Sequence, residues 1–297
     1  MNYPKRVKIV EVGPRDGLQN EKTTVDVDTK VALINRLTEA GLSTIEAGSF
    51  VSPKWVPQMA GSDQVFGQLP MHTATTYTAL TPNMQGLERA IACDVREVAV
   101  FAAASESFSQ KNINCSIAES IERFKPLAEK ALANHLRVRG YVSCVMGCPY
   151  EGAVDIESAT SVANQLLSMG CYEVSLGDTI GTGTPATIEL LLNRLLLDIP
   201  ASKLAVHLHD TYGQALANVL RALQMGISVI DSSVAGLGGC PYAKGASGNL
   251  ATEDLVYLLD GLGINHGVDL TKLIAAGNFI SQKLNRPNGS KVGIALQ

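Results

Sequence analysis

Two of the chain's five histidines stand one residue apart, in Leu204-Ala205-Val206-His207-Leu208-His209-Asp210. If the run is a strand, its period of two puts His207 and His209 on one face and Val206 and Leu208 on the other. Two imidazoles on a rigid element could share one divalent ion; a hydrogen-bonded pair at a strand end is the plainer alternative. Gly13-Pro14-Arg15-Asp16-Gly17 sets a guanidinium beside a carboxylate, and Asp16 serves either as an oxygen ligand or as a turn cap. The segment from Gly236 to Asn249 holds five glycines around Cys240. Glycine permits unusual φ angles there, so the loop could fold over a substrate. A thiol in it is a candidate nucleophile or proton donor, or else a small buried hydrophobe. Asn249 can approach the histidines from this loop or cap the helix that follows. Gly147-Cys148-Pro149-Tyr150 repeats the tetrapeptide around Cys240, and Cys148 is read as structural. With no cysteine at ligand spacing, mixed nitrogen and oxygen ligation by Mg²⁺, Mn²⁺ or Zn²⁺ would be tolerated.

The elements that must carry these residues alternate regularly. Strand-like runs occupy 8–12, 44–47, 72–80, 95–103, 138–144, 172–176, 204–210 and 230–235. Helical periodicity covers 28–40, 116–135, 156–169, 185–197, 214–225, 252–262 and 270–284, with a further helix start at Thr81-Pro82-Asn83. Such alternation calls for a parallel sheet with helical crossovers, and eight units suit a closed (β/α)8 TIM barrel in a single domain over 1–297. An open doubly wound sheet is the alternative, but no G-x-G-x-x-G follows the first strand. The stretch from Pro53 to Pro70 is long for a connection and is expected to form a short extra helix over the barrel mouth. Residues 265–297 are expected as a C-terminal helical extension packed on the barrel, across one end.

In such a barrel, catalytic groups gather at the C-terminal strand ends. Those ends offer Arg15 and Asp16, then Glu46 and Ser49, then Arg139, Tyr141 and Ser143 on one strand face. Ser175 and Asp178, the two histidines, and the Cys240 loop follow.

Composition narrows the function. The 297 residues are 46% hydrophobic and 18% charged, with mean hydropathy +0.13, enough for a large core and unlike a disordered chain. A net charge of −4 without Lys/Arg runs argues against nucleic acid as partner. No apolar stretch approaches the roughly 18 residues of a membrane helix. Six scattered cysteines without a signal segment are expected as reduced thiols, in a cytoplasmic protein.

Three runs carry a family resemblance. Val12-Gly13-Pro14-Arg15-Asp16-Gly17-Leu18-Gln19-Asn20-Glu21, the strand ending His207-Leu208-His209-Asp210-Thr211, and Val234 through Ala243 resemble the 3-hydroxy-3-methylglutaryl-CoA lyases. These belong to the barrel metal-dependent lyases and Claisen condensing enzymes; the cysteine loop is specific to the lyases, and the likeness runs from about residue 5 to the C-terminal helix. The resemblance implies Asp16, His207, His209 and Asn249 as metal ligands, with Mg²⁺ or Mn²⁺ as the ion. It implies Arg15 as the group that stabilises an enolate and Cys240 as its acid, with Glu46 and Asp178 as further acidic catalytic positions. Ser49, Asn112, Tyr141 and Ser175 are implied, more loosely, as substrate contacts beside Arg15. Either Asp178 or Asp16 takes part in removing the hydroxyl proton. The implied reaction cleaves 3-hydroxy-3-methylglutaryl-CoA to acetyl-CoA and acetoacetate, in leucine degradation and ketone-body formation. An acyl-CoA is thus the expected partner, and a homodimer the expected assembly. The alternatives are a lyase for a longer-branched homologue, a synthase joining an acyl-CoA to a 2-oxo acid, and a His-x-His barrel metallohydrolase. In the last of these the pair usually closes the first strand, and here it closes the seventh.

Overall fold

A computed structural model of the chain describes residues 3–70, 74–239 and 248–297. Its strands are β1 (Lys8–Glu11), β2 (Thr44–Ser49), β3 (Thr76–Leu80), β4 (Glu97–Ala103), β5 (Arg137–Ser143), β6 (Glu173–Asp178), β7 (Leu204–Leu208) and β8 (Val229–Ser232). Each pairs in parallel with the next, and β8 pairs with β1, so the eight-stranded barrel is closed as expected. The helices α1 (Val27–Glu39), α2 (Ser62–Gln68) and α3 (Met84–Ala92) connect the first four strands. Two helices, α4 (Glu106–Ile113) and α5 (Ile117–Ala133), lie between β4 and β5. They are followed by α6 (Ile156–Ser168), α7 (Pro185–Leu195) and α8 (Ala215–Gln224), and after β8 by α9 (Thr252–Gly261), α10 (Leu270–Lys283) and α11 (Lys291–Ala295).

Local chemistry starts these helices where the strands need them. The Asp26 side chain accepts from Thr29 N at 2.7 Å and caps α1, whose Ile34 and Leu37 are fully buried. Ser116 and Glu119 form a reciprocal capping box at α5; a polar cap of this kind contributes about 1 kcal/mol. The helix expected over the barrel mouth is instead α2, the β2–β3 crossover. Its Ser62 and Phe66 come so close to Gly48 of β2 that a Cβ there would lie 3.0 Å from Ser62 Oγ. In the C-terminal extension, α10 packs against α1, against α9 and against the turn at Val234–Gly236 that follows β8. No helix among the described residues is long and apolar enough to cross a membrane.

The apolar core lies between the strands and the helices: Val138, Val142, Val174, Leu176, Val206, Leu208 and Ile230 all belong to one buried cluster with the helix faces. The opposite strand faces fill the barrel with charge. Arg139, Glu173, Ser175, His207 and Asp231 are buried there, and Val10, Val12, Ala205 and Val229 form a small separate apolar layer.

Candidate active site

The cluster starts from β7. His207 and His209 share its inner face as the alternation requires, with their Nε2 atoms 3.3 Å apart. The carboxylate of Asp16 joins them, and ligand atoms of Asp16, His207 and His209 all lie within 4.8 Å of one another. Asp16 reaches the histidines because residues Gly13–Gly17 wind as one wide π-helical turn off the end of β1. Such turns re-aim side chains and concentrate at functional sites. A single antiparallel bridge between His209 and Asn249 brings Asn249 to the same place, where its Nδ2 donates to Asp16 Oδ2 at 2.8 Å and to Leu237 O at 3.2 Å.

Arg15 completes the turn. Its Nε donates to Glu46 Oε2 at 2.6 Å, its Nη1 donates to Asp16 Oδ1 at 2.8 Å, and its guanidinium carbon lies 5.8 Å from the centre of the Tyr141 ring. A bulge in β2 between Glu46 and Gly48 shifts the strand register at this point. Glu46 Oε1 is buried without a hydrogen-bond partner among the described residues, as is Nδ1 of His209.

Below this layer stands a network whose Glu173 and Asp231 the sequence does not single out. Asp231 of β8 accepts from Ser175 Oγ at 2.7 Å and from two nitrogens of Arg139 at 2.8 and 3.1 Å, and its Oδ2 lies 3.3 Å from His207 Nδ1. Arg139 also donates to Glu173 Oε1 at 2.8 Å and to the Tyr141 hydroxyl at 2.9 Å. Tyr141 and Ser175 are therefore tied into the support of His207. The available signal was the period of two, which aligns Glu173 with Ser175 and Arg139 with Tyr141; Asp231 is a single acid in an apolar strand and left none.

The remaining candidates lie apart from the cluster. Asp178 follows Val174 and Leu176 in strand parity, away from the barrel interior. Its two oxygens accept from Thr182 N at 3.1 Å and Gly183 N at 2.8 Å, holding its own loop. Ser49 is buried at the end of β2, where its hydroxyl meets Leu80 O and Val51 N. Asn112 is exposed on α4. Cys240 lies outside the described residues.

Electrostatics suit the cluster to a cation. Burial alone would raise the Asp16 carboxyl, but Arg15 and both imidazoles hold it well below the usual range. Burial, with His207 beside it, pushes His209 down to about 4, so its ring is neutral and offers a lone pair. Burial works against a charge on His207 too, but the bond to Asp231 and the nearby Asp16 outweigh it and raise that ring. Asp231, by accepting at Nδ1, directs the lone pair of neutral His207 to Nε2, toward His209 and Asp16. Two facing ring nitrogens and an ionised carboxylate fit a divalent cation of mixed N/O preference. Asp178 is raised by burial to about 6.

Known proteins resemble the chain over nearly its whole length. A family model described as HMGL-like matches residues 6–280. The chain is 62% identical over 292 residues to the mitochondrial hydroxymethylglutaryl-CoA lyase of Rattus norvegicus, covering 98% of this chain and 90% of the relative. It superimposes on the crystal structure of hydroxymethylglutaryl-CoA lyase from Pseudomonas aeruginosa with a TM-score of 0.98 at 58% identity, covering 100% of this chain and 99% of that one. An HMG-CoA lyase from Acinetobacter baumannii, in complex with coenzyme A and 3-methylmalate, matches with a TM-score of 0.94 at 35% identity, over 99% and 96% of the two chains.

Proposed function

The chain belongs to the HMGL-like family, and from that premise we propose that it is a carbon–carbon lyase cleaving 3-hydroxy-3-methylglutaryl-CoA to acetyl-CoA and acetoacetate. The observation that carries this reading is the convergence of Arg15, Asp16, His207 and His209 at one mouth of the barrel. The relative that holds coenzyme A supports an acyl-CoA as substrate. A cytoplasmic homodimer belongs to the same reading.

The reaction breaks the bond between C2 and C3 of the substrate. Its tertiary hydroxyl must lose a proton, and a thioester enolate must leave. Asp16, His207, His209 and Asn249 would hold a divalent cation, Mg²⁺ or Mn²⁺, which when bound supplies Lewis acidity toward a hydroxyl and a carboxylate. Glu46 and Asp16 fix the plane of Arg15 from two sides. That leaves the outer edge of the guanidinium for the thioester oxygen as it gains charge; a preorganised donor of this kind contributes about 2.7–4 kcal/mol to the barrier. The hydroxyl proton passes to a carboxylate. Asp16 lies in the cluster, whereas Asp178 lies behind it with a value of about 6, suited to accepting a proton near neutrality. Asp178→Asn separates the two: near-parental turnover assigns the step to Asp16. Cys240 then protonates the enolate carbon; its reference pKa of about 8.5 keeps the thiol mostly protonated at pH 7.

The test is to add Mg²⁺ or Mn²⁺ and 3-hydroxy-3-methylglutaryl-CoA to the purified protein and assay acetoacetate. Acetoacetate that disappears with a chelator is expected. Its absence, together with free-thiol release from acetyl-CoA and a 2-oxo acid, would replace the lyase with a synthase.

A further inference from the structure

Glu11 is the last residue of β1 and is fully buried, but it faces away from the barrel interior and, among the described residues, touches none of the groups assigned to chemistry. Its Oε1 accepts from Gly13 N at 2.8 Å and from Val234 N at 2.9 Å. Its Oε2 accepts from Thr252 Oγ1 at 2.6 Å, and that hydroxyl lies 2.9 Å from Ser232 Oγ. Gly13 opens the turn that carries Arg15 and Asp16, and Val234 opens the turn that leads into the glycine-rich loop. One carboxylate oxygen therefore joins the turn beside it to Val234, 223 residues on from Glu11 in sequence.

We propose that Glu11 is a positioning residue that holds the Arg15–Asp16 turn and the 234–237 stem that precedes Cys240 in sequence in one register.

Three further observations lead to the same place. The two turns meet again on the other side of the site, where Asn249 Nδ2 bridges Asp16 Oδ2 and Leu237 O. With Leu237 N donating to Val234 O at 3.1 Å, the contacts close a circuit from Glu11 through both turns and back. The residues between the turns are pared down to permit it: a Cβ on Gly13 would lie 2.5 Å from Glu11 Oε1, and one on Gly17 would lie 2.5 Å from Ser233 Oγ. A second buried carboxylate, Glu253, accepts from Ala235 N through both oxygens at 3.0 and 2.9 Å. It grips the stem where Ala235 takes the left-handed conformation with φ 55°, which is costly for a residue with a Cβ.

The bonding pattern does not depend on the charge. A glutamine oxygen can accept both N–H groups, and its amide can donate to Thr252 Oγ1 while the threonine hydroxyl turns to Ser232. The clamp is therefore a matter of geometry, and the conservative variant should preserve it.

The turnover arm of the test rests on the lyase reading, but the binding arm does not. Mn²⁺ affinity and steady-state kinetics are to be compared for the full-length parent, Glu11→Ala and Glu11→Gln. In Glu11→Ala, Mn²⁺ should bind about 10-fold to 100-fold more weakly. Its kcat should fall about 100-fold with KM changed far less, as for a small misplacement of reacting groups. Glu11→Gln should recover both to within about threefold of the parent. A folded Glu11→Ala protein with parental Mn²⁺ affinity and kcat overturns the proposal, and so does a glutamine variant as impaired as the alanine one. If Glu11→Ala does not fold, Gly13→Ala displaces the carboxylate without removing it, and unchanged Mn²⁺ affinity there is equally decisive. A parent that binds Mn²⁺ but yields no acetoacetate sinks the lyase reading alone and leaves the Mn²⁺ comparison standing.

Discussion

His207 and His209 are two residues apart on one strand, yet their environments drive them in opposite directions. His209 has no carboxylate at its outer nitrogen, so burial dominates and the ring stays neutral down to about pH 4. His207 has Asp231 at Nδ1 and Asp16 near Nε2, and it holds a proton above the usual imidazole range despite burial. A metal ligand must give up its proton, so the cost of binding grows as pH falls below the pKa of His207. We therefore expect Mn²⁺ affinity to fall as the pH is lowered from alkaline solution into the ordinary imidazole range, with proton release on binding over that descent. A flat titration over the range would show that His207 gives up no proton there. His209→Ala should lower the Mn²⁺ stoichiometry below one, and an unchanged value would remove it from the ligand set. For the thiol, Cys240→Ser should lose most turnover while still binding Mn²⁺ and substrate; full activity would exclude Cys240 as the acid.

At the scale of elements, the site depends on how closely the turn after β1 approaches the turn after β8. A Cβ on Gly17 would meet Ser233 Oγ at 2.5 Å, Leu237 Cβ at 2.8 Å and Leu237 O at 3.2 Å. Relieving that overlap moves backbone, and overpacking of this kind typically costs about 1–3 kcal/mol. Gly17→Ala should lower the denaturant midpoint accordingly; an unshifted midpoint would mean the two turns part freely. What the sequence can reveal about such elements depends on whether their partners are local. The His207–His209 face follows from the period of two, and the barrel follows from repeated strand–helix units with recognisable caps. Helix α4 buries only Phe108 and Ser109, so it has no apolar stripe to detect. Helix α2 buries little more than Val65 and Phe66, too short a stripe to mark it in sequence as a crossover rather than an extra piece. Asp231 meets Arg139 across 92 residues of sequence, a contact that closure creates and no window contains. The outward turn of Asp178 depends on where β6 ends. With the strand read to Leu176 its side chain had no defined face, and two further residues of strand give it one.

Across the whole molecule, five carboxylates taken out of water fall into two groups with opposite effects on stability, while Glu46 stays raised by burial even with Arg15 beside it. Asp16 and Asp231 have arginines beside them and are held below the usual carboxylate range despite burial. Their stabilising contribution is present above the unfolded-state value and is lost as the solution becomes strongly acidic. Glu11, Glu253 and Asp178 are held by neutral N–H or hydroxyl donors, and burial raises them to about 7, 8 and 6. Each of these three remains protonated in the folded chain over a range where the unfolded chain has already ionised. The folded state then binds more protons than the unfolded one, and stability falls as pH rises through that interval. Glu253 spans the widest interval, from the ordinary glutamate range to about 8, with Glu11 nearby adding to its rise. Replacing Glu253 with glutamine leaves an acceptor for Ala235 N and removes the titration. We expect the unfolding free energy of the parent to decline between pH 5 and pH 8. Glu253→Gln should decline less steeply over the same range, whatever its absolute stability. The slope carries the information, because a merely weakened contact would lower both ends equally. Parallel lines for parent and variant would show that Glu253 is ionised throughout, and that the Ala235 turn rests on a charged carboxylate rather than a neutral one.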